Sequence, residues 1–267
     1  MWHKCLSIAG FDGSGGAGIQ ADLKTFSALG CYGMTVLTAL PIQNTQGVRR
    51  CYELPLPSIL DQLEAIFDDI TPDSIKIGML FQREIVEMVA LVLKERAQGI
   101  PIVLDPVMVA KSGDDLLLPD AIVALIQHLI PMATLITPNL AEAATLTKIS
   151  TDMPHLAHRL LELGANAVLL KGGHAEGSES NDLFVTQTES PIWLKSPRIK
   201  THNTHGTGCT LSAAIAANLA KGFSLFDACS HAKTYLFGAI LAAQHISVGQ
   251  GHGPVDHLYA LRNPTCS

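Results

Sequence analysis

No stretch of this chain holds a clean apolar run of the roughly 18 residues that a membrane-spanning helix needs. The richest segment, residues 121–136, is interrupted by Gln127, His128 and Pro131. The mean hydropathy of +0.28 therefore describes a sizeable core rather than a bilayer span. Basic residues are also scarce: 18 Lys and Arg stand against 24 Asp and Glu, a formal charge of −6. That balance argues against a nucleic-acid face, which is normally basic, and against a polybasic membrane anchor. None of the six cysteines forms a Cys-x-x-Cys pair, and the opening residues do not fit a signal peptide. A reduced, cytoplasmic protein is expected rather than a disulfide framework. The close pairs His155/His158, His202/His205 and His252/His257 have no cysteine or acidic partner at ligand spacing, which argues against structural zinc. No linker, low-complexity tract or internal repeat divides the 267 residues, so one domain over 1–267 is expected.

What the chain does have is an alternation of two patterns. Short apolar or β-branched runs at 4–9, 34–40, 74–78, 101–105, 134–137 and 167–171 read as strands. Between them, apolar residues recur at helical spacing over 19–29, 59–70, 85–94, 121–130, 142–146 and 156–163. Runs 183–186 and 192–195 with a polar turn between them predict an antiparallel hairpin, and two Ala-rich helices are expected over 209–220 and 225–243. This rhythm implies βαβ units and a mostly parallel sheet covered on both faces. In such sheets ligands bind beyond the carboxyl ends of the strands.

Two Gly-rich loops precede helices. Gly13-Ser14-Gly15-Gly16-Ala17-Gly18 matches Gly-x-Gly-x-x-Gly, but the next strand carries no acid for a ribose hydroxyl, so a dinucleotide site is not expected. These glycines more plainly allow backbone to approach a small substrate closely. The second loop, His205-Gly206-Thr207-Gly208-Cys209, runs into an Ala-rich helix. Successive N–H groups and the helix N-terminus make an anion site suited to phosphate. Cys209 at that terminus is expected to have a lowered pKa and an accessible thiolate. An ordinary Gly-started packing helix with a buried Cys would carry the same pattern. No Lys-Ser/Thr follows the last Gly, so the loop is not a P-loop.

Asn203-Thr204-His205-Gly206-Thr207-Gly208-Cys209 resembles the Gly-Ala/Thr-Gly-Asp signature of the ribokinase-like superfamily, with Cys in place of Asp. Cys at that position is similar to the vitamin kinases that phosphorylate hydroxymethylpyrimidine or pyridoxal. Blocks at 8–26, 43–45, 76–80, 104–114, 137–143, 171–174 and 251–254 resemble, in the same order, hydroxymethylpyrimidine/phosphomethylpyrimidine kinases of thiamine synthesis. The resemblance implies an α/β fold: a three-layer α/β/α ribokinase-like domain with a mostly parallel sheet, a small antiparallel hairpin and no large separate lid. It implies transfer of the γ-phosphoryl group of ATP to a primary alcohol on a pyrimidine ring, then to the monophosphate, with Mg²⁺ and a homodimer. The need for a monovalent cation stays open. So do two rival readings, a pyridoxal kinase of the same fold and a ligand-sensing protein without turnover.

The resemblance also implies roles for residues whose chemistry suits them. Cys209 would act as general base toward the hydroxymethyl group, and the amides of Gly206, Thr207, Gly208 and Cys209 would hold the phosphoryl charge. Asn139 and Glu142, with Asp105 nearby, would organise Mg²⁺ partly through water, since oxygen ligands suit a hard cation. Lys171, Asp105, Asn139 and Thr204 would face ATP. Gln43 and Asp22 would hydrogen-bond the pyrimidine, Gly10, Met79 and Val107 would wall it, and Lys111 in a flap would cover the phosphates. Related chains that act mainly on pyridoxal tend to carry Met where this one has Gln43. No physical role suggests itself for residues 251–254.

Overall fold

Every strand-to-helix connection here carries the chain across a sheet face, so strands return in parallel and their carboxyl ends collect along one edge. The structure, a computed structural model, describes residues 2–109, 116–173 and 177–262. In chain order the elements are β1 (Lys4–Ala9), α1 (Gly18–Ala28), β2 (Tyr32–Leu37), β3 (Ala39–Asn44), β4 (Gly47–Glu53), α2 (Leu56–Asp69), β5 (Ser74–Ile77) and α3 (Arg83–Arg96). There follow β6 (Ile102–Leu104), α4 (Pro119–Ala124), β7 (Leu135–Ile136), α5 (Leu140–Thr147), α6 (Met153–Glu162), β8 (Ala167–Leu170), β9 (Asp182–Thr186) and β10 (Ile192–Leu194). The last helices are α7 (Thr207–Ala220), α8 (Leu225–Ala243) and α9 (Tyr259–Arg262).

Eight strands form the main sheet in the order β10-β9-β8-β7-β6-β5-β1-β2. All pairs from β2 to β8 are parallel, and β9 and β10 close the far edge as an antiparallel hairpin. Ile8 pairs Ile77, Ile77 pairs Leu104, and Leu104 pairs Ile136. That register levels the strand ends, so Gly10, Met79, Asp105, Asn139 and Lys171 all follow on one rim.

Side chains alternate between the faces. Leu6, Ile8, Ile75, Ile77, Leu104 and Ile136 join the core beneath α2 to α6. Cys5, Val103, Leu135 and Leu169 face the other way, against α7 and α8. The Ala-rich face of α7 lets its backbone lie close to the sheet: the Ser74 hydroxyl donates to the Ala216 carbonyl at 2.7 Å. Ser7 and Lys76 occupy this same face by alternation, which proves decisive below.

The expected strand 34–40 is two elements. Thr38 leaves the sheet edge, its N–H bonding the Ala9 carbonyl and its hydroxyl the Met79 carbonyl at 2.6 Å. The chain then forms an antiparallel hairpin, β3–β4, that stands apart from the main sheet. A register shift between Ile42 and Gln43 re-aims Gln43, as bulges do beside binding sites. Helix 121–130 begins earlier, at Pro119, and relaxes into a π-helical turn over Leu125–Leu129, where the Ile130 N–H reaches back to the Leu125 carbonyl at 3.0 Å. Among the described residues no helix is long and apolar enough to cross a membrane.

Candidate active site

Above the strand ends lies a cleft of about 750 Å³. It collects Gly10, Gln43, Met79, Asp105, Val107, Asn139, Glu142, Lys171, Thr204, Gly206, Thr207, Gly208 and Cys209, residues drawn from both halves of the chain. Lys111, with most of the expected flap, lies outside the described residues. One described residue expected in the site, Asp22, is not among the lining. Asp22 is fully buried beneath the floor.

The loop that leads into α7 is built on glycine where it must be. Gly206 caps α7 with φ of 76°, and any Cβ there would strike the Gly16 carbonyl oxygen. The loop and the N-terminal Gly-rich turn are thus in backbone contact. Asp12 pins that contact. Its carboxylate accepts from the Ser14 N–H and hydroxyl, the Gly16 and Ala17 N–H groups, and His205 Nε2 at 2.7 Å. Burial disfavours the Asp12 charge, but His205 and these donors outweigh it and hold the carboxyl below its usual range.

Lys171 follows β8, and its Nζ lies 2.8 Å from Asp105 Oδ1 and 3.9 Å from Glu142 Oε2. A Cβ on Gly208 would sit 3.3 Å from both Lys171 Nζ and Asp105 Oδ2, so the cation rests against the first turn of α7. Burial alone would depress the lysine pKa, yet Asp105 and Glu142 raise it, and the ammonium stays charged. The N-terminal N–H groups of α7, which lack intrahelical acceptors, therefore share one patch with a fixed positive charge. Asp105 is held by the Thr137 hydroxyl at 3.1 Å and the Ser212 hydroxyl at 3.4 Å. Gly172 just beyond Lys171 is anchored to Asp182, whose other oxygen binds Lys233 at 2.6 Å.

Asn139 and Glu142 form a reciprocal capping box on α5: Asn139 Oδ1 accepts from the Glu142 N–H, and Glu142 Oε2 from the Asn139 N–H. Direct metal ligation by the Asn139 amide oxygen thus competes with the cap. Burial first, then the Asp105 charge, pushes the Glu142 carboxyl up to about 7, against the opposing pull of Lys171. A divalent cation fits such a place, because it would relieve a buried carboxylate that has one oxygen outside the cap. Among the described residues no three His, Cys, Asp or Glu side chains converge as a metal cage. Mg²⁺ characteristically takes only one or two protein carboxylates beside phosphate oxygens and water, so Glu142 and Asp105 suffice.

The raised Glu142 pKa makes a stability prediction. Because the folded value exceeds the ordinary 4.5, the native state binds this proton more tightly, and that stabilising contribution is lost as pH rises toward about 7. Gln preserves a capping box. Ligand-free Glu142→Gln is therefore expected to melt several degrees above wild type at about pH 8, with the gap closing toward about pH 4.5. Thermal unfolding across that range checks it; a pH-independent gap would contradict it.

Cys209 departs from its expectation. Burial pushes the thiol up to about 11, Asp22 and Asp105 add to the rise, and Lys76 with the Gly18 N–H only partly oppose it. The helix terminus is a local effect, and desolvation with two carboxylates nearby outweighs it. In the ligand-free site Cys209 is a thiol. Asp22 likewise does not reach the cleft. Its oxygens take the Ser7 hydroxyl at 2.5 Å and Lys76 Nζ at 2.8 and 3.0 Å. Lys76 lies between Asp22 and the cleft, which it lines. The one charged residue in the fully buried Ser74–Ile77 strand was the available signal. Asp12, His205 and Lys233 were also missed, because each matters through a partner distant in sequence.

Gln43 donates from Nε2 to the Phe11 carbonyl at 3.1 Å, which orients its amide at the cleft wall opposite α7. Met79 supports Gly10, since a Cβ there would fall 2.9 Å from the Met79 sulfur. The arrangement offers an anion patch, a thiol and an oriented amide across one cavity, suited to holding a polyphosphate against a small polar ring.

Known proteins share this plan. The family model for phosphomethylpyrimidine kinase matches residues 12–256. A hydroxymethylpyrimidine/phosphomethylpyrimidine kinase of Rhizobium meliloti is 51% identical over 264 residues, covering 97% of this chain and 98% of the relative. A phosphomethylpyrimidine kinase from Clostridium difficile is 44% identical with TM-score 0.78, covering 89% of this chain and 99% of that one. The pyridoxal kinase of Staphylococcus aureus, solved with AMP-PCP and pyridoxal, is 36% identical with TM-score 0.89, covering 98% and 96%. The ribokinase-like fold, the family model and 51% identity over nearly the whole length agree, and the chain belongs to the phosphomethylpyrimidine kinase family.

Proposed function

We propose that this enzyme transfers the γ-phosphoryl group of ATP to the hydroxymethyl group of 4-amino-5-hydroxymethyl-2-methylpyrimidine, and then phosphorylates the monophosphate to the diphosphate, for thiamine synthesis. The observation that carries this reading is the patch where Lys171 lies against Gly208 at the start of α7, across the cleft from Gln43. Phosphoryl transfer demands positioning and charge neutralisation more than covalent chemistry, and this patch supplies both. The N–H groups of Gly206, Thr207, Gly208 and Cys209 hold the charge spreading over the transferred oxygens, and Lys171 neutralises it. Thr204 and Asn139 flank the polyphosphate. Glu142, with Asp105 and Asn139 through water, would hold Mg²⁺, which supplies further charge neutralisation when bound.

The pyrimidine lies against Gly10, Met79 and Val107, with the Gln43 amide pairing a ring nitrogen and the exocyclic amine. Cys209 faces the hydroxymethyl oxygen. Asp22 acts from below by holding Lys76. Lys111 covers the second phosphate in the diphosphate step. The open edge of the sheet at β2, where exposed Trp2 packs edge-to-face on Tyr32, supports a homodimer, and the composition supports a cytoplasmic setting.

A pyridoxal side activity is the second reading, favoured by the fold match to a pyridoxal kinase. Gln43 separates the two. Gln43→Met is expected to lower kcat/KM for hydroxymethylpyrimidine by about ten- to hundredfold, because a ring donor and acceptor lose their partner, while pyridoxal turnover falls far less. Steady-state rates on both alcohols test this, and equal losses would count against it.

A further inference from the structure

Residues 249–257 run beside the cleft, which His252 lines, and touch three of the loops that face it. At the hairpin, the His252 N–H donates to the Thr45 carbonyl at 2.8 Å and the Gly251 N–H to the Thr45 hydroxyl at 3.2 Å. A Cβ on Gly251 would collide with the Thr45 carbonyl oxygen, so the two backbones touch. At the phosphate loop, the His205 N–H donates to the Gly253 carbonyl at 3.0 Å. A Cβ on Gly253 would collide with Asn203 Oδ1. Asn203 cannot easily yield, since its Nδ2 is bound to the Ala243 and Ile246 carbonyls at 2.5 and 2.6 Å. At the N-terminal turn, a Cβ on Gly16 would lie 3.0 Å from the Pro254 ring. Further along, His257 Nε2 bonds the Thr210 hydroxyl in the first turns of α7 at 3.1 Å, and its carbonyl accepts from the Tyr235 hydroxyl at 2.6 Å.

We infer that residues 249–257 form a positioning clasp that sets the distance between the Gln43 hairpin and the phosphate loop, with Gly251 and Gly253 as its two adjustment points. This rests on the reading that Gln43 meets the pyrimidine and the start of α7 meets the phosphoryl group. Neither glycine lines the cleft. Each acts through what it lies against: Gly251 through the hairpin tip, and Gly253 through Asn203 and the loop it leads into. A small misplacement of either side costs rate steeply, because the alcohol and the phosphoryl group must meet in line.

The test is steady-state kinetics of the full chain with hydroxymethylpyrimidine and ATP varied separately. Gly251→Ala is expected to raise the pyrimidine KM about tenfold while the ATP KM moves less than about twofold. Gly253→Ala is expected to lower kcat about tenfold with the pyrimidine KM little changed. Thr45→Ala, which removes one bond to the clasp, raises the pyrimidine KM about threefold, and Thr45→Ser restores it. Should Gly251→Ala fail to fold, the Thr45 pair decides alone. Proportional losses in all parameters for both glycine variants, or a Thr45→Ala enzyme equal to wild type, would overturn the clasp. Gln43→Ala, run alongside, separates the two ideas. If it leaves the pyrimidine KM unchanged while Gly251→Ala and Thr45→Ala raise it, the clasp stands and the Gln43 assignment falls. If only Gln43→Ala raises it, the clasp falls and the assignment stands.

Discussion

Cys209→Ala is expected to lower kcat by about 10²- to 10⁴-fold, the range for loss of a positioned proton acceptor, with the ATP KM changed less than about threefold. The proposed role has to accommodate the state of the thiol. With a pKa of about 11 in the ligand-free site, it is not a standing base near neutral pH. In a loose transition state the nucleophile needs little help early and sheds its proton late. A neutral thiol cannot take that proton, so the acceptor is the thiolate fraction, and the alcohol's proton ends on sulfur as the oxygen bonds to the phosphoryl group. The sign of the pH dependence follows: the thiolate fraction grows as pH rises toward 11, so wild-type kcat should climb between about pH 7 and 9. Cys209→Asp, which carries the carboxylate of the wider superfamily, should flatten that slope. Turnover of Cys209→Ala within about threefold of wild type would end the assignment and leave catalysis to the amides and Lys171.

The second large effect is on stability. Lys76 and Asp22 are fully buried and bonded at 2.8 and 3.0 Å, and Ser7 completes the carboxylate. Burial works against both charges and leaves the Asp22 carboxyl above its usual range, but Asp22, Cys209 and Asp105 raise the Lys76 pKa above the ordinary range, and with both carboxylate oxygens against Nζ the pair is ionic. Removing one member strands a charge in the core, which costs about 3–5 kcal/mol, whereas replacing both with apolar groups is often nearly neutral. Lys76→Met is therefore expected to lose about 3–5 kcal/mol in denaturant unfolding, and Lys76→Met/Asp22→Leu to recover most of it. A single variant within about 1 kcal/mol of wild type would mean that the site tolerates an unpaired carboxylate.

These two residues also mark where reading the sequence reaches its limit. The strands, helices and rim were legible because period 2 and period 3.6 are written locally, and strand ends punctuated by Gly10, Asp105, Asn139 and Lys171 advertise a site. The Gly-rich entry to α7 was legible for the same reason. The break at Thr38 was not, because 34–40 is one unbroken apolar run, and only the Ala9 and Met79 carbonyls beside Thr38 turn the chain away. Asp22 was assigned to the substrate, since its partner Lys76 is 54 residues away. The Cys209 pKa was misjudged because a helix terminus is visible in sequence and burial beside two carboxylates is not. Residues 251–254 made no sense alone, as their meaning lies in Thr45 and Asn203.

The excess of acid over base likewise takes on a location. A chain of charge −6 carries a positive patch where Lys171 meets the start of α7, so the field that matters is local.

The most direct measurement is ATP consumption by the purified enzyme with hydroxymethylpyrimidine, its monophosphate and pyridoxal as separate acceptors. The account predicts turnover with the first two and kcat/KM for pyridoxal lower than for hydroxymethylpyrimidine. Turnover of pyridoxal alone, or of none of the three, would contradict it.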